Sequence, residues 1–89
     1  MNSIKDFLES LGWEYDFFWN NRDFYHFPHV DKYGLFIHLH DDSVGLVVYK
    51  QNNDFRLVYC NLKKGQIRRF TNSMKKNAKL EEFLNEIKM

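Results

Sequence analysis

The sequence predicts an α+β fold: an antiparallel sheet of five or six short strands, flanked by an N-terminal and a C-terminal helix in a two-layer sandwich. Three observations predict it. Apolar residues recur at helical spacing near both ends, they alternate with a period of two in between, and the alternating runs are separated by short polar turns. With 89 residues, one Pro, four Gly, no repeat and no low-complexity tract, residues 1–89 are expected to form a single domain.

Ser3-Ile4-Lys5-Asp6 has the form of a helix N-cap, with a hydroxyl to accept an early backbone N–H and an acid in the first turn. Ile4, Phe7, Leu8 and Leu11 follow on one helical stripe, and Gly12 can close the helix in a left-handed conformation. The period then becomes two. Trp13, Tyr15, Phe17 and Trp19 alternate with Glu14, Asp16, Phe18 and Asn20, which predicts a strand with one aromatic face. Asn20-Asn21-Arg22 turns the chain into a second aromatic strand within Asp23–His29, ended by Pro28. Asp31–Gly34 turns again, and Leu35, Ile37 and Leu39 oppose Phe36, His38 and His40 on the third strand.

Asp41-Asp42-Ser43 closes a hairpin onto Val44–Lys50, whose unbroken Leu46-Val47-Val48-Tyr49 predicts a strand covered on both faces. Phe55–Leu62 follows after a polar turn, with Phe55, Leu57 and Tyr59 facing one way and Arg56, Val58 and Cys60 the other. Lys63-Lys64-Gly65 is then expected to turn into a short strand over Gln66–Phe70. Thr71-Asn72-Ser73 is expected to cap a second helix carrying Leu80, Phe83, Leu84 and Ile87 at helical spacing. Sequential hairpins favour a meander, with both helices on one sheet face.

Charge is distributed unevenly. The chain carries a formal charge of only +1, yet nine of its thirteen bases and a single acid, Asp54, lie between Lys50 and Lys79. Residues 1–49 hold three bases against eight acids. A one-signed surface attracts the opposite sign over roughly 8–10 Å in physiological salt, so the pattern points to a polyanionic or acidic partner. Arg56, Lys63, Lys64, Arg68, Arg69, Lys75, Lys76 and Lys79 are the candidate contacts to nucleic acid or to an acidic partner. The expected arrangement is a rim shared by a hairpin tip, a returning strand and the start of a helix, with Tyr59 and Phe70 as base-stacking rings.

Sixteen aromatics crowd the chain, and eight of them, joined by His26, lie on the first two strands. Trp13, Tyr15, Phe17, Trp19, Phe24 and Tyr25 are therefore candidates for a protein interface, including a homodimer. His26, His29, His38 and His40, with Asp41 and Asp42, offer a third possibility, a metal-dependent hydrolase, though no HExxH motif or cysteine pair accompanies them. A lone Cys60 excludes an intramolecular disulfide and reads as a small core residue. No glycine-rich phosphate loop or nucleophile elbow is present, so no catalytic residue, cofactor or resident metal is expected. Lys5, Asp6 and Glu9 in the first twelve residues argue against a signal peptide, and no run approaches the roughly 18 apolar residues of a membrane span. The expected location is the cytoplasm.

Ile4–Leu11, Gly12-Trp13 and the strands after them loosely resemble the toxin half of toxin–antitoxin pairs of the double-stranded-RNA-binding shape. Asn21-Arg22-Asp23-Phe24-Tyr25-His26 stands where that family has Gly-Ser-His, so neither its catalytic histidine nor its activity carries over. The leading expectation is a non-enzymatic protein that contacts RNA or single-stranded nucleic acid, alone or with a host protein that handles nucleic acid, in the manner of a phage accessory inhibitor. The alternative is an inhibitor or adaptor bound to an acidic protein surface.

Overall fold

The computed structural model describes residues 3–50, 54–59 and 61–75, and of Tyr59 the backbone alone. Its elements run α1 (Ile4–Ser10), β1 (Glu14–Trp19), β2 (Arg22–His26), β3 (Tyr33–His38), β4 (Val44–Tyr49), β5 (Phe55–Tyr59) and α2 (Lys64–Lys75). The strands form one antiparallel meander, in the order β1-β2-β3-β4-β5. The α+β sandwich expected from the sequence is the fold observed.

Local chemistry explains most boundaries. The Ser3 hydroxyl accepts the Asp6 amide at 3.1 Å and starts α1. Gly12 ends the following turn at φ 101°, a region closed to most side chains. Asn20 and Asn21 both take positive φ, as a two-residue hairpin that follows the twist of its strands requires. Asp41 accepts the Ser43 amide at 3.0 Å in the β3–β4 turn, and this bond is the first cause of its lowered pKa.

Both helices lie on one face of the sheet. Leu8 of α1 and Ile67, Phe70 and Met74 of α2 share a buried cluster with Tyr25, Leu35, Ile37, Val44 and Leu46. A second cluster covers the other face, built on buried Phe24, Phe36 and Val47 with Phe17, Tyr49, Phe55 and Leu57 packed around them. Residues of β4 point into both, so this strand is covered on both sides as its apolar run predicts.

The single aromatic face expected for β1 does not exist. Tyr15 pairs with Tyr25, but Phe17 pairs with Phe24, so Asp16 is an extra residue in the ladder. One inserted residue reverses the sidedness of everything after it. Trp13 and Tyr15 therefore lie on the helix side, whereas Phe17 and Trp19 lie on the other.

The strand expected over Gln66–Phe70 is instead helical, and the helix expected to begin at Thr71–Ser73 has already run for two turns there. Ile67, Phe70, Thr71 and Met74 are its buried residues, at i, i+3, i+4 and i+7. Thr71 does not break it because its hydroxyl donates to the Ile67 carbonyl at 2.8 Å, one turn back. Gln66 begins it by accepting the Lys63 amide through Oε1 at 2.8 Å, half of a capping box. The sheet thus has five strands among the described residues. Cys60, Lys76, Lys79 and the expected helix around Leu80–Ile87 lie outside them.

Candidate nucleic-acid interface

Within the basic segment, residues 63–75 form one helix and its lead-in rather than parts of three elements. Lys63, Lys64, Arg68, Arg69 and Lys75 are all exposed along α2 and its lead-in, and no acid occurs in that stretch. The apolar stripe turns Ile67 and Phe70 into the core, which sends the interleaved bases outward. Lys75 in the last turn suits the helix dipole, but Lys64 in the first turn adds positive charge where the dipole is already positive. An anion at that end would relieve the arrangement.

Lys64 and Arg68, one turn apart, share a support on α1. The Lys64 ammonium lies 5.4 Å from the centre of the Phe7 ring and the Arg68 guanidinium 5.3 Å from it. Each such contact is worth about 0.5–1 kcal/mol at an exposed site, enough to bias the rotamers of two long side chains. Arg56, exposed on β5, belongs to a different element.

Several expected site residues are placed elsewhere. Phe70 is fully buried, 6.0 Å from Trp13 and 6.3 Å from Tyr33 between ring centres, and cannot stack a base. The side chain of Tyr59 lies outside the described residues. Trp13 is core: it is 2% exposed and donates through Nε1 to the Thr71 hydroxyl at 2.8 Å. Phe24 and Tyr25 are buried too, so neither can face a partner.

Tyr15 and Trp19 remain about half exposed, and they are joined by Phe18 at 54% and Leu39 at 47%. The last two were missed because alternation assigned Phe18 to a polar face and Leu39 to a strand that ends at His38. Phe17 is half-buried, stacked on Phe24 with ring centres 4.5 Å apart.

The histidines do not converge. In the β2–β3 ladder His26 lies opposite Gly34, whereas His38 lies opposite Arg22. The two are thus at opposite ends, four residues or about 13 Å apart along the ladder. His26 faces Glu14 and Asp16 on β1, with Nε2 3.3 Å from a Glu14 oxygen, while His40, Asp41 and Asp42 form the far turn. Among the described residues no three His, Cys, Asp or Glu side chains are grouped so as to hold a metal ion. Nor is any described helix long and apolar enough to cross a membrane.

Comparison with known proteins adds no relative: no family model, no curated protein and no solved structure matches the chain.

Proposed function

We propose that this chain is a non-enzymatic binding protein whose α2 face contacts RNA or single-stranded nucleic acid, in the cytoplasm. The observation that supports it is the run of five exposed cations, Lys63, Lys64, Arg68, Arg69 and Lys75, uninterrupted by an acid. Two of them are already oriented by Phe7. Pre-ordered cations lose less side-chain freedom on binding, so the helix is suited to phosphates. With Phe70 buried, charge rather than stacking carries the affinity, and sequence preference is weak. Binding direct or through a host protein that handles nucleic acid, as a phage accessory inhibitor would bind, uses the same surface.

The test is charge reversal of Lys63, Lys64 and Arg68 to Glu, followed by anisotropy titrations of a labelled single-stranded RNA at several salt concentrations. Affinity should fall, and the salt slope should shrink by about 0.7 for each phosphate no longer neutralised. Unchanged affinity and slope would refute the reading.

A second reading rests on a separate observation. Among the described residues strand β1 is an edge strand, paired with β2 alone, and it exposes Tyr15, Phe18 and Trp19. Unpaired edge amides beside exposed rings are a template for another chain, whether a second copy of this one or a partner protein. Pull-down with and without nuclease separates the readings: a protein retained after nuclease treatment through β1, and lost on Phe18→Lys, supports this second one.

A further inference from the structure

The sheet is curled until its two edge strands meet through their side chains. Phe55 of β5 lies 5.0 Å from Trp19 and 6.4 Å from Phe17 of β1, between ring centres, so rings from opposite edges close over Phe24. Beside this closure lies a cleft of about 760 Å³, within the roughly 300–1,000 Å³ typical of small-molecule sites. Phe17, Tyr49 and Phe55 supply its aromatic walls, and Asp16, Asp31 and Asp54 its carboxylates. Lys50 and His26 also line it.

Two departures from regular strand structure border this one cleft. The bulge in β1 inserts Asp16. Gly34 in β3, opposite His26, leaves room for Tyr49 to reach across from β4: a Cβ there would stand 2.9 Å from the Tyr49 hydroxyl and 2.7 Å from the Tyr25 carbonyl. The Tyr49 hydroxyl and His26 Nδ1 are buried with no hydrogen-bond partner among the described residues, Asp16 standing 3.8 Å from the latter. Buried polar atoms without partners in a cleft wall are uncommon and call for a ligand or water.

We propose that this cleft binds an organic cation, an ammonium or guanidinium group carried on an apolar stem. Carboxylates outnumber the lysine three to one, which disfavours an anion. Among the described residues the side chains are not grouped for a metal ion. Aromatic faces beside carboxylates attract a cation twice, through the ring quadrupole and through charge. The site lies on the opposite face of the sheet from α2, so it goes beyond the nucleic-acid reading and does not depend on it.

The test is calorimetry and amide-shift mapping on the full chain. Agmatine serves as a free guanidinium probe, a blocked Gly-Arg-Gly peptide as the side-chain probe, and pentylurea as the neutral control. A cation should bind and shift the amides of Phe17, Gly34, Tyr49 and Phe55. Asp16→Asn with Asp54→Asn, checked for native circular dichroism, should weaken it about tenfold or more. Tighter binding of agmatine identifies a free small molecule as the source, and tighter binding of the peptide a basic protein segment. Glu substitutions on α2 should leave the cation affinity unchanged. No binding of either cation at millimolar concentration, equal binding of pentylurea, or binding indifferent to both Asn substitutions would overturn the proposal.

Discussion

Thr71 joins two parts of the molecule through one oxygen. It donates to Ile67 within α2 and accepts from the indole of Trp13, which precedes β1. Thr71→Val keeps the shape but leaves the buried Trp13 N–H unpaired, which should cost about 1–3 kcal/mol in denaturant unfolding. Thr71→Ser should recover most of that loss; if Val and Ser behave alike, the hydrogen bond is not the cause. Gly34→Ala should also destabilise, by about 1–3 kcal/mol, since the nearest obstacle to its Cβ is the Tyr25 carbonyl, which is backbone.

Alkali should expose another residue-scale effect. Burial pushes the Tyr49 phenol up to about 12 from 10.0, with Asp16 adding to the shift. Burial likewise raises Tyr25, and hydrogen bonding to Asp23 raises Lys5, whose ammonium lies 2.8 Å from that buried carboxylate. Each folded pKa exceeds its unfolded value, so the stabilisation is intact below the unfolded pKa and is lost as pH rises through the folded one. For Tyr49 the window is about pH 10 to 12. Tyr49→Phe should flatten the decline in that window without abolishing it, because Tyr25 and Lys5 still titrate; an unaltered slope would show that Tyr49 is not its source.

At the scale of elements, β1 shows how one residue redistributes a whole strand. Deleting Asp16 would remove the bulge while leaving Tyr15 opposite Tyr25 and Phe17 opposite Phe24, so each ring should keep its face of the sheet. The expected outcome is a cooperative thermal transition, as for Asp16→Asn; a broadened transition on deletion alone would show that the bulge itself is needed to hold the strand. Helix α2 shows the converse. Its i, i+3, i+4, i+7 stripe of Ile67, Phe70, Thr71 and Met74 is written in the sequence, but Thr71-Asn72-Ser73 also reads as a break. The Thr71 hydroxyl is accommodated inside the helix by donating to Ile67 one turn back, and Trp13, fifty-eight positions away, donates to the same oxygen.

For the whole molecule, curling of the sheet sets the balance between core and surface. Rings from both edges cover Phe24, so the outer sheet face is largely sealed without a third layer among the described residues. The excess of apolar surface is concentrated on β1, at Tyr15, Phe18 and Trp19. If that edge pairs with a copy of itself, light scattering should return about twice 10.9 kDa, and Phe18→Lys should return the single mass. A wild-type chain that scatters as a monomer leaves β1 to a different partner or to none.

The order of elements, the meander, the caps at Ser3 and Gly12 and the coverage of β4 on both faces were legible in the sequence, because each follows from residues within a turn or a few strand positions of one another. The concentration of positive charge was equally legible, since charge adds without regard to conformation. Where that charge stands, on a helix braced by Phe7, depended on packing. So did the burial of Trp13, Tyr25 and Phe70, the separation of His26 from His38, and the cleft between the edges of the sheet. Local pattern determines which segments are helix or strand, because those periods are set by the backbone, except over 66–70, where a short alternating run also fits a helical stripe. The register after a bulge, and the curl that brings β1 against β5, are decided by contacts between residues far apart in the chain, to which no local window is sensitive.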